Sequence, residues 1–105
     1  MKLIRIGMKH TGSCLPDQIL DAEIDEVARV VTMRIQTFDS ALVAALAVDT
    51  LHADHGIQVF RDDNIGMVTP PAPYKLIIAI GGYLFNARVV KLMTGAMTVF
   101  LEPAL

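Results

Sequence analysis

The sequence predicts one small domain, 1–105, of the α/β or α+β class, with a sheet of four or five strands packed by two or three helices. Three observations lead there. Stretches rich in β-branched residues alternate along the chain with stretches of helical period. KLIIAI (Lys75–Ile80) is an unbroken apolar run between turn residues, as a buried central strand is. ALVAALAVDTLHADH (Ala41–His55) lies between a ready N-cap, Asp39-Ser40, and a ready terminator, Gly56.

The elements follow in order. KLIRIGM (2–8) reads as a largely buried first strand, and 10–13 as a turn. Pro16 stands where a first helical residue belongs, with Asp17 and Gln18 suited to the positive end of a helix dipole. Leu20, Ile24, Val27 and Val31 then recur at helical spacing, which predicts an amphipathic helix over 16–28 with its acids outward. The period changes over 30–38. Val31, Met33 and Ile35 fall on one side and Thr32, Arg34 and Gln36 on the other, so a strand wetted on one face is expected. The helix over 41–55 is apolar around most of its circumference, which implies burial on more than one side.

IQVFR (57–61) is a short strand ending in the turn signal Asp62-Asp63-Asn64. Three prolines in four positions exclude a helix just before Tyr74. NARVVKLMT (86–94) reads as a further helix with Arg88 and Lys91 outward, and MTVFL (97–101) as the last strand, stopped by Pro103. Two architectures fit this order. One is an open sheet with βαβ crossovers and helices on both faces; the other is a ferredoxin-like βαββαβ sheet.

The C-terminal third, LIIAIGG with NARVVKLMTGAMTVFLEP, resembles the end of response-regulator receiver domains in its element order. Lys9-His10-Thr11, Ile80 and Glu102 stand here where that family has its acidic pair, its hydroxyl and its lysine. Asp62 or Asp63 could stand for the phosphoryl acceptor, but the segment from there to Ile80 is too short for the family's intervening helix, so the resemblance implies no phosphorylation-competent receiver.

Composition narrows the function classes. The apolar fraction is 53% and the charged fraction 19%, yet no apolar run reaches the roughly 18 residues of a spanning helix, so no membrane role is expected. The start intersperses charges with apolar residues and lacks the h-region of a signal peptide, and Cys14 is the single cysteine; a cytoplasmic protein is expected. A net charge of −2 with scattered basic residues argues against nucleic acid. So greasy a small chain is expected to cover part of its surface by self-association, as a homodimer.

Several constellations carry possible chemistry. Gly81-Gly82, between a strand and an expected helix, presents free amides to a small anionic ligand, with Tyr83 and Asn86 as the nearest polar groups; the competing reading is a tight turn. Asp49 and His52 share a helix edge with His55 one step further round, a spacing that could hold a metal, although a solvated polar stripe near the helix C-terminus is the stronger reading and no metal is expected. Asp62 and Asp63 follow a strand and suit acid–base chemistry, with His10 as a further catalytic candidate. Cys14 lies just before the expected helix start with His10 four residues back, a position that could activate a thiol although a lone cysteine is more often unreactive, and the acidic face of 16–28 suits a basic partner although such a face is usually just solvated. No cofactor is expected. The leading expectation is a ligand-binding or protein-interaction domain; the alternative is a small enzyme or anion-binding protein with its site at the turns after 57–61 and 75–80.

Overall fold

The computed structural model describes residues 2–6, 20–36, 38, 41–62, 73–91, 93–94 and 97–104. Among the described residues it holds six strands and one helix: β1 (Lys2–Ile6), β2 (Leu20–Asp25), β3 (Val30–Ile35), α1 (Ala41–His55), β4 (Lys75–Ile80), β5 (Tyr83–Lys91) and β6 (Met97–Pro103). The strands lie in sequence order in one mixed sheet. Only β3 and β4 pair in parallel; the other four pairings are antiparallel.

The expectation of four or five strands under two or three helices is thus overturned, and with it both the open βαβ sheet and the ferredoxin-like order. Two segments account for the difference. Within 16–28, residues 20–25 form β2 instead of a helix. Leu20, Ala22 and Ile24 are buried and the residues between them half-exposed, which is the period of a strand. Ala22, wholly buried, is too small to announce itself beside Leu20 and Ile24. The acids Asp21, Glu23 and Asp25 therefore belong to one side of a strand, not to the outer face of a helix, and Val27 is fully exposed. The chain reverses over 26–29, where the Asp25 carboxylate accepts the amides of Val27 (3.1 Å) and Ala28 (3.0 Å) and Arg29 turns left-handed at φ 56°.

The second segment is 86–94. Residues up to Lys91 continue β5, which begins two residues after β4 ends. Gly81 (φ 54°) and Gly82 (φ 93°) close that hairpin, and two consecutive positive φ angles are what a tight turn matched to the strand twist requires. Met93, which a helix over 86–94 with Arg88 and Lys91 outward would bury, is fully exposed. The receiver-like order fails at the same place, because its helix is absent.

Other expectations hold. Val31, Met33 and Ile35 point inward from β3 and Arg34 and Gln36 outward. Helix α1 forms where expected, but Ala44, Ala47, Val48 and Leu51 make a one-sided buried stripe among the side chains described, where burial on more than one side was expected. Gly56 ends α1 at φ 68°, its amide donating to the His52 carbonyl at 3.1 Å. Helix α1 covers one face of the sheet, packing chiefly on β6 with contacts to β1 and β3. Beneath it one row runs across the sheet through Ile4, Ala22, Met33, Ile78 and Phe85.

The opposite face is covered by no described element. It carries Arg5 and Arg34 beside Asp21 and Glu23, paired at 3.7 and 2.7 Å, with Leu3, Leu84 and Phe100 exposed among polar residues. No helix among the described residues is long and apolar enough to cross a membrane.

The hairpin turn is directly testable. Gly82→Val forces a β-branched residue into a left-handed conformation and is expected to cost about 1–3 kcal/mol. Gly81→Asn, at a φ that Asn tolerates, is expected to stay within about 1 kcal/mol of the parent. Urea unfolding of the two variants checks the difference.

Candidate functional site

A concavity lined by polar side chains lies where α1 meets the segment that follows it. Residues 57–61 do not form a full strand. Val59 makes a parallel bridge to Tyr74 and Arg61 another to Val89, with Phe60 donating to the Tyr74 carbonyl and Tyr74 to the Gln58 carbonyl, both at 2.8 Å. The segment keeps the strand period: Ile57 and Val59 are buried, Gln58 and Phe60 exposed. Arg61 shares the parity of Ile57 and Val59, so its side chain is carried inward and is only 14% exposed.

Asp49 and His52 stand at i, i+3 on α1, beside the buried stripe. They line a cavity of about 160 Å³ together with Val48, Gln58, Val59 and Arg61. Inside it the Arg61 guanidinium donates to the Asp49 carboxylate, which is 57% exposed. Asp49 is the one acceptor that Arg61 side-chain donors meet among the described residues. A guanidinium has five donors, and among the described residues Asp49 engages this one through Nη2. Asp62, next in the chain, turns away and accepts from Arg88 Nε at 3.0 Å. Arg88 also approaches Glu102 at 3.8 Å and lies over the Phe100 ring.

The structure regroups the residues that sequence singled out. Asp49 and His52 share the cavity, but His55 does not line it, and no three His, Cys, Asp or Glu side chains among the described residues are placed to hold a metal. Asp62 forms an ion pair instead of lining the cavity, and Asp63, His10 and Cys14 lie outside the described residues.

Gly81 and Gly82 close a hairpin with no helix after them, so the anion cradle expected there loses its helix N-terminus. Tyr83 is exposed beside that turn. Asn86 lies on β5 between Ile77 and Glu102, with its Oδ1 buried and unpartnered among the described residues.

The two turns expected to share a crevice stand at opposite ends of the sheet. Asp62 is held by Arg88, and Arg88 lies about 20 Å along β5 from Gly82 at the ordinary strand rise. The cause is register. Val59 bridges Tyr74, so 57–61 ends beside the start of β4, not beside its end.

Reading 61–64 for its acids passes over Arg61 and Gln58. The alternation of IQVFR was the available signal, since it puts the arginine on the same side as Ile57 and Val59. Compared with known protein families, curated proteins and solved structures, the chain matches none.

The Asp62–Arg88 pair fastens the end of this segment to β5. Both side chains reach water, so a double-mutant cycle of Asp62→Asn and Arg88→Gln is expected to give a coupling of about 0.5–1 kcal/mol. Repeating the cycle in concentrated salt is expected to shrink it.

Proposed function

We propose that this domain binds a small carboxylate-type anion in the cavity between α1 and residues 57–61, with Arg61 as the anchor. The single observation that carries the reading is an arginine side chain 14% exposed on a cavity wall, with Asp49 as its one described side-chain acceptor. A planar guanidinium suits a carboxylate in paired hydrogen bonds, and enclosure from water strengthens such bonds. His52 and Gln58 supply further polar groups on the wall, while Val48 and Val59 give it an apolar side. The cavity is smaller than the usual pocket for a drug-sized molecule, so it fits a small carboxylate or the carboxylate end of a longer ligand. The single cysteine supports a reducing, cytoplasmic setting.

Asp49 sets the affinity. Its carboxylate occupies part of the arginine fork and repels an incoming anion, so the site favours weak, exchangeable binding. Asp49→Asn is therefore expected to tighten acetate binding about tenfold, a change of about 1.4 kcal/mol. Arg61→Gln is expected to abolish it. Titration followed by the NMR signals of the Arg61 side chain and the His52 ring checks both. If Asp49→Asn leaves acetate binding unchanged or weakens it, the anion reading is wrong.

A further inference from the structure

The outer edges of the sheet differ in a way that bears on assembly. Both β1 and β6 have one side without a strand partner among the described residues. An open edge presents free amides and carbonyls, and charged side chains are a common protection against a second strand. β1 (KLIRI) has that protection in Lys2 and Arg5. β6 (MTVFLEP) runs through five uncharged residues before Glu102.

Hydrogen-bond parity shows which groups of β6 are open. The Ala104 amide donates to the Leu84 carbonyl at 2.9 Å, so the pair Leu84–Ala104 is a bonded one. Alternation along an antiparallel ladder then directs the amides of Thr98, Phe100 and Glu102 toward β5. Those of Met97, Val99 and Leu101 point outward. Pro103, which has no amide hydrogen, falls on an outward position, where it costs the β5–β6 ladder nothing.

We propose that β6 is a self-complementary edge on which a second copy of this chain pairs, antiparallel and centred on Phe100. Phe100 is the middle residue of β6, so this register overlaps the whole strand with its copy. Val99 and Leu101 of each copy exchange outward hydrogen bonds. Phe100 meets its counterpart in the non-bonded position, where Cα atoms approach to about 4.5 Å and side chains touch. The two half-exposed rings pack there, each already flanked by Arg88.

Charge favours the same partner. Glu102, the one charged residue of β6, falls opposite Thr98, whose hydroxyl can donate to it, and like charges nowhere oppose each other. A two-fold axis normal to the sheet puts both α1 helices on one face of the joined sheet. The proposal does not rest on the anion site.

Light scattering at about 100 µM is expected to give twice the chain mass, the concentration suiting a narrow interface. Phe100→Glu and Phe100→Lys each place like charges at the two-fold centre and are expected to weaken association at least about tenfold. Mixing the two variants is expected to restore the dimer. Amide exchange tests the edge itself: the Val99 and Leu101 amides are expected to be protected in the dimer and to exchange rapidly in either variant alone. The Phe100-position amide stays protected throughout, which also reports that the variant is folded.

A monomeric parent, a folded variant that still dimerises, a mixture that stays monomeric, or freely exchanging Val99 and Leu101 amides in a dimer would each overturn the proposal. So would a monomer in which those two amides are protected, because the chain itself would then cover the edge.

Discussion

The parallel pairing of β3 with β4 is the constraint on which the rest of the molecule depends. Two parallel neighbours cannot be joined by a tight turn, so the chain must leave the end of β3 and return to the start of β4 across one face of the sheet. Helix α1 lies in that crossing. Its buried stripe of Ala44, Ala47, Val48 and Leu51 settles which face is the core. Every other strand obeys the choice: Ile4 and Ile6, Leu20 and Ile24, Leu76 and Ile78, and Val89 all point to the helix side. A slip of one residue in either central strand would turn its inward row to water.

The same crossing places the arginine cavity. After Gly56 ends the helix, the chain must travel back toward the start of β4, and it does so along Tyr74 and then Val89. That path lays Gln58, Val59 and Arg61 against the flank of α1 that carries Asp49 and His52. A polar pair on a helix and an inward arginine on an extended segment thus meet because of the return path. The Gly81–Gly82 hairpin has no such neighbour, and it is a turn for a backbone reason alone.

The central βαβ unit was legible and its flanks were not. Strand β3 announced itself by strict alternation through Val31, Met33 and Ile35, and α1 by its cap and terminator, because each signal is local. In β2 the inward row is Leu20, Ala22 and Ile24, and the small middle residue let Leu20, Ile24, Val27 and Val31 pass for a helical face. In β5 the adjacent pair Val89 and Val90 misled in a similar way: one is buried on the core side of the sheet and the other half-exposed on the far side. Both errors are ones that pairing partners resolve, and partners are not local. Asp49 and His52 were visible as a polar edge of α1, but what they face was not, since Arg61 arrives only through the register of Val59 on Tyr74.

The two faces of the sheet also divide the labour of stability and specificity. Under α1 the rows are continuous and apolar, and buried packing there supplies the larger share of stability. On the far side Arg5, Asp21, Arg34 and Glu23 pair across β1, β2 and β3 in water, where such contacts contribute little to folding. Their effect is on what the surface accepts. The charges across β1 to β3 surround the exposed Leu3, while Leu84 and Phe100 are exposed on the β5–β6 half, beside the edge that carries least charge. A head-to-tail contact of β6 with β1 would generate an open chain of molecules, whereas β6 with its own copy closes after two. Lys2 and Arg5 on β1 thus disfavour the open arrangement without adding to the core, and the proposed β6–β6 pairing is the closed one.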